Sequence, residues 1–101
     1  MLARLQQADE AQVRRAIDSA VAAQHDWSSR PFEHRAGVFL KAADLVAGAW
    51  RERLNAATMV GQSKTVIQSE IDVACELADF LRFNVHFAER LHAEQPVSAP
   101  G

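Results

Sequence analysis

Cysteine, proline, glycine and tyrosine are all scarce in this sequence. It has one cysteine, three prolines, four glycines and no tyrosine in 101 residues. The lone Cys75 excludes an internal disulfide and a cysteine-rich zinc site. There is no charge excess: 11 basic residues face 13 acidic ones, for a formal net charge of -2. That balance argues against a nucleic-acid or anionic-membrane surface as partner. No apolar run approaches the ~20 residues of a membrane span. The opening residues Met1-Leu2-Ala3-Arg4-Leu5-Gln6-Gln7 lack the apolar core of a signal peptide. These absences together lead us to expect a soluble cytoplasmic protein with no internal repeat and no low-complexity run.

What is present is a helix-forming mixture. Ala, Leu, Arg, Glu and Gln are abundant, and 49% of the residues are hydrophobic against 24% charged. Taken alone, the length is that of one ordinary domain burying about 65% of its unfolded surface.

The sparse punctuation divides the chain into about four helices, at 9–27, 31–47, 49–60 and 65–92. Asp9 is a good N-cap, and Glu10 follows where the helix dipole favours a negative charge. Val13, Ile17 and Val21 then recur at four-residue steps. Ser28-Ser29-Arg30-Pro31 breaks the pattern and starts the second helix. Its expected core face is Phe32, Ala36, Phe39, Leu40, Ala43 and Val46 or Ala47, with Arg35, Lys41 and Asp44 on the wet side. Gly48 is expected as its C-terminal cap. The third helix points Trp50, Leu54 and Ala57 inward and ends at Gly61.

From Gln62 to Gln95 there is neither Gly nor Pro. One helix over that run would be roughly 40 Å long, at 1.5 Å per residue. A domain of this size has a radius of gyration of ~13 Å, so the helix must bend, break or belong to something larger. At ~100° per residue, Ile67, Ile71, Ala74, Ala78, Leu81, Val85 and Ala88 share one side. Leu77, Phe80, Asn84, Phe87 and Leu91 lie beside them. The apolar arc covers about 200°, which suits a helix placed between two layers or against a second body. The tail from Gln95 to Gly101 reads as extended and uncapped.

Few residues form constellations that could carry chemistry. Glu76 precedes Phe80, Phe83 and Phe87 at helical spacings, which sets a carboxylate on an aromatic strip flanked by Asp72 and Asp79. Either Glu76 borders a cleft that uses its carboxylate, or this is a wet edge with Asp79 offset by Arg82. Cys75 has no histidine within a helical turn and reads as a buried, inert thiol. His25, His34, His86 and His92 lack metal-ligand spacing, so no metal site is expected. Gly61-Gln62-Ser63-Lys64-Thr65 has the look of a phosphate loop's end, but the leading glycine and the preceding strand are missing. A helix-to-helix turn accounts for it.

Phe39-Leu40-Lys41-Ala42-Ala43-Asp44-Leu45 and the run from Thr58 to Asp72, with Glu76-Leu77, Asp79-Phe80, Arg82-Phe83-Asn84 and Gln95-Pro96-Val97-Ser98, carry a family resemblance. The chain resembles the N-terminal helical part of the 1-pyrroline-5-carboxylate dehydrogenases, a branch of the aldehyde dehydrogenase superfamily. Ser63 stands where a glycine usually precedes Lys64. The resemblance implies a segment of a larger subunit whose full fold is α/β. That subunit would use NAD to oxidise L-glutamate γ-semialdehyde to glutamate in proline breakdown. It implies that the nucleophilic cysteine, the general base and the cofactor sheet lie outside this chain, so the chain holds no catalytic residue and no cofactor site and is inactive alone. It also implies that Glu76, in Glu76-Leu77-Ala78-Asp79-Phe80, borders the aldehyde on the substrate side. The implied partner is the remainder of the subunit. The alternative is a free-standing helical interaction module, or a helical dimer that buries the apolar arc against its own copy.

Overall fold

The computed structural model describes residues 4–99. All regular elements in that range are helical, and no strand occurs among the described residues. They are α1 (Glu10–Ser29), α2 (Phe32–Ala47), α3 (Arg51–Gln62), α4 (Val66–Ser69), a π-helical turn (Glu70–Cys75) and α5 (Glu76–Ala93). The last three run on without leaving helical backbone. The described chain forms two compact units, 4–35 and 36–99, with the boundary inside α2.

In the first unit α1 begins as its sequence requires. Asp9 accepts from the Gln12 amide N–H at 2.7 Å, and the Asp9 amide donates to the Gln12 side chain at 2.9 Å. This reciprocal box satisfies two of the helix's orphan donors. The helix runs two residues past the expected Trp27, because the Ser28 and Ser29 hydroxyls donate back to the carbonyls of His25 and Asp26. An Asp26–Arg30 ion pair at 2.7 Å closes it. No residue of α1 is buried.

The second unit has a thin interior. Ala36, Ala43, Ala74, Ala78 and Ser69 are its buried residues. Ala36 and Ala43 lie where the expected α2 core face put them, but Phe39 and Leu40 are exposed, and Arg35, expected on the wet side, is half-buried. In α3, Leu54 is half-buried while Trp50 and Ala57 are exposed. Trp50 instead carries the Arg53 guanidinium 5.1 Å from its ring centroid, a cation–π contact available at the surface.

The turns also differ from the glycine-based reading. Among the described residues no glycine has a positive φ; that conformation falls to Ser63, at φ 55°, which ends α3 in place of Gly61. Gly48 does not cap α2 through a left-handed conformation. It is needed for space, since a Cβ there would meet the Asp44 carbonyl oxygen at 2.9 Å. Thr65 is the next N-cap, in a second reciprocal box with Gln68. At the far end the Gln95 side chain donates to the Leu91 carbonyl at 2.6 Å, so the helix end has a cap the sequence did not announce. Residues 95–99 follow as exposed coil, and Pro100 and Gly101 lie outside the described residues.

The long rod is where expectation and structure part most instructively. Downstream, the expected face holds: Ala78 is buried, and Leu81, Val85 and Ala88 are half-buried. Upstream it holds only at Ala74, which is buried; Ile67 and Ile71 are exposed, and Ser69, which was not on that face, is buried. Ser69 and Ala74 are five apart, which is the π repeat and not the α repeat. One extra residue in a turn rotates the upstream face by about 100° relative to an unbroken α-helix. The neighbouring stripe is bare: Phe80, Phe87 and Leu91 are 56%, 53% and 65% exposed.

Candidate functional site

The π turn and α5 together form one wall of a cleft of about 550 Å3, open on its other side. Its lining is Ile71, Asp72, Cys75, Glu76, Asp79, Phe80 and Phe83. Every lining residue belongs to this one helical rod, so the described residues supply a single open face of the cleft. The helical repeat brings the acids and aromatics to the same face, as their spacing anticipated. Phe83 stacks on Phe87 with ring centroids 6.3 Å apart, extending the aromatic strip down α5.

The three carboxylates have different surroundings. Asp72 is ion-paired to Lys64, at the foot of α4. Glu76 and Asp79 have no hydrogen bond or ion pair among the described residues. Arg82, the expected counter-ion of Asp79, reaches instead to Asp44 on α2 at 3.2 Å. Glu76 therefore faces the cleft as an exposed carboxylate on an apolar strip. An ionised carboxylate is an acceptor only. It can receive an N–H or a water O–H, and it repels an incoming or developing anion.

Cys75 is exposed and not buried. The π turn places it on the cleft side, with Sγ 4.0 Å from a Glu70 carboxylate oxygen. A nucleophilic thiol needs a base or a cationic neighbour, and here the near group is an acid. It is not a candidate nucleophile.

A second group of charges escaped the sequence reading. Glu70, the first residue of the π turn, accepts from Arg51 and, at 2.5 Å, from the Asn55 amide. Arg51 and Asn55 are one turn apart on α3, so both reach the same carboxylate. These donors hold the Glu70 carboxyl below its ordinary value, Arg51 first and Asn55 next, and the Arg51 guanidinium is correspondingly raised. The only signal in the sequence was the Arg51/Asn55 spacing, which says nothing of a partner 15 to 19 residues away.

No part of this arrangement suits a dinucleotide. A pyrophosphate needs backbone or cationic donors, usually at a glycine-rich strand-to-helix turn. The cleft offers carboxylates, and Lys64 is engaged by Asp72.

Comparison with known proteins agrees with the resemblance. The model of the aldehyde dehydrogenase family matches residues 1–101. The mitochondrial Delta-1-pyrroline-5-carboxylate dehydrogenases of Mus musculus and Bos taurus are each 57% identical over 93 residues, 92% of this chain and 16% of theirs. The crystal structure of the Delta-pyrroline-5-carboxylate dehydrogenase from Mycobacterium tuberculosis superimposes with a TM-score of 0.88 at 55% identity, over 96% of this chain and 18% of that one. The chain thus spans about a sixth of the length of the curated relatives it matches. By sequence and by fold, the chain belongs to the aldehyde dehydrogenase family.

Proposed function

We propose that residues 1–101 are the N-terminal helical segment of an NAD-dependent 1-pyrroline-5-carboxylate dehydrogenase, inactive by themselves. In this reading the π turn and α5 form one wall of the aldehyde's approach, and Glu76 faces the substrate. The observation that carries it is the cleft: an unpaired carboxylate on an aromatic strip, in a chain 57% identical over 93 residues to an enzyme of that name.

Glu76 contributes no bond to the reacting carbon. Its carboxylate repels the oxygen of an aldehyde, on which negative charge grows when a nucleophile adds. It holds instead an ammonium N–H or a bound water, and its bulk beside Phe80 and Phe83 limits the length of chain admitted. The nucleophile, the base and the NAD site belong to the remaining polypeptide. The exposed stripe of Phe87 and Leu91, beyond the cleft, is the surface on which that polypeptide packs. A free-standing interaction module would use the same stripe, but the family match along the whole chain favours the dehydrogenase remainder.

The test is NADH production from pyrroline-5-carboxylate. The 101-residue chain alone should give none. An enzyme with the matching segment of the M. tuberculosis dehydrogenase replaced by this chain should turn over, and Glu76→Ala in it should change kcat/KM unequally across aldehydes of increasing length. Turnover by the isolated chain, or an unaltered length profile in the Glu76→Ala enzyme, would refute the reading.

A further inference from the structure

Six residues of π-helix in the middle of a rod need a cause. The π repeat loosens the backbone ladder and survives where surrounding contacts hold it, frequently at functional sites. Here the turn has no side-chain cap at its start, and the Ser69 hydroxyl just before it is buried without a partner. It is instead held from outside at two successive points. Arg51 and Asn55 of α3 grip Glu70, and Lys64 from the α3–α4 connection grips Asp72.

The cleft face of α5 begins where the π turn ends, at Glu76. A relaxation of that turn to α geometry would rotate Glu76, Asp79, Phe80 and Phe83 by about 100° relative to α3. Such a rotation would carry the Glu76 carboxylate off the cleft while leaving the helix intact. We propose that Glu70, clamped by Arg51 and Asn55, is a positioning residue that keeps the π turn in place and so aims Glu76 into the cleft. This rests on the reading of Glu76 as the substrate-side carboxylate. It assigns specificity to a residue that touches no substrate.

The experiment uses the chimaeric M. tuberculosis enzyme carrying this chain, with Glu70→Ala, Glu76→Ala and the double variant. Two readouts are taken: kcat/KM over a series of straight-chain aldehydes and the semialdehyde, and the crystal structure of the Glu70→Ala enzyme. Misplacement of a positioning group by about 1 Å can cost up to 10²-fold. Glu70→Ala should lower kcat/KM for the semialdehyde by about 10- to 100-fold, shift the length profile as Glu76→Ala does, and add little in the double variant. Its crystal structure should show α-helical spacing through 70–75 with Glu76 turned away. Arg51→Lys, which keeps a cation opposite Glu70, should recover most of the profile that Arg51→Ala loses. If Glu70→Ala does not fold, Glu70→Gln keeps an acceptor and should show the same shift at smaller size. An intact π turn in either Glu70 variant overturns the proposal. So does an equal loss for every aldehyde, which marks a merely structural residue. If the π turn relaxes in Glu70→Ala while Glu76→Ala leaves the profile unchanged, the positioning holds and the substrate-side reading of Glu76 fails.

Discussion

Gly48 offers the most direct test of the packing, because two opposing effects can be weighed at one atom. Its φ is not positive, so alanine can adopt the backbone conformation. On that ground alone Gly48→Ala would stabilise by roughly 0.4–1 kcal/mol, through the reduced freedom of the unfolded chain. Against this, the new Cβ would sit 2.9 Å from the Asp44 carbonyl oxygen. That oxygen cannot retreat freely, since it accepts the Gly48 amide at 3.0 Å, and the Asp44 side chain is tied to Arg82. Forcing a methyl into such a space costs typically 1–3 kcal/mol. The net expectation is a loss of roughly 1–2 kcal/mol, and at about 4–8 °C per kcal/mol for a domain of this size the midpoint falls by about 5–15 °C. Gly37 is the control. It lies inside α2 with open space around its would-be Cβ, so Gly37→Ala should gain roughly 0.5–1 kcal/mol. Thermal and urea melts of the 101-residue chain, followed by circular dichroism at the helical band, measure both. If Gly48→Ala melts as high as Gly37→Ala, the close approach at the α2–α3 turn is not a constraint and the reasoning fails.

Three further outcomes are expected. Asp9→Ala should cost α1 about 1 kcal/mol, because the capping box is lost from a helix with no buried face to compensate, and helical dichroism should fall by an amount confined to that helix. The folded-state carboxyl of Glu70 is lowered by Arg51 and Asn55, so its contribution to stability is present above the ordinary carboxylate range and is lost as pH falls through the lowered value. Urea midpoints taken from neutral to acid pH should therefore drop, and Glu70→Gln should flatten that part of the curve; parallel curves would remove the clamp from the stability account. Replacing Phe80, Phe87 and Leu91 together with serine should reduce binding of an apolar dye and concentration-dependent light scattering by the chain, with little change in helicity; unchanged scattering would mean that the stripe is not the adhesive surface.

The helix starts at Asp9 and Thr65 were legible because capping is local chemistry, settled by three consecutive positions. The faces were legible only in part. Periodicity reveals which side of a helix is apolar, not whether anything covers it. Ala36, Ala43, Ala74 and Ala78 were placed on the core faces and are buried, whereas Phe39 and Leu40, placed beside them, are exposed, as are Phe80 and Phe87. The π turn left no mark at all. No glycine or proline announces it, and its cause is a set of ionic contacts from α3 and the following connection. Within and just before that turn Ile67, Ile71 and Cys75 are exposed, against expectation. Of the candidate site, only the shared face of Glu76 and its aromatic neighbours was readable from spacing, since they lie on regular helix downstream of the π turn. The Glu70 clamp was not, because ion pairs between elements have no periodic signature.

The interior built from four alanines and a serine has a consequence for how this segment tolerates change. Interiors of that kind hold helices at close range by the absence of bulk, so their positions accept almost no growth while offering little to lose by truncation. Most segments show the reverse, with large core residues that cannot be shortened. A substitution map of this chain should therefore be asymmetric. Added methyl groups at 36, 43, 69, 74 and 78 would be rejected, while the large apolar residues on the surface would be free to vary for folding and restrained only by whatever docks there.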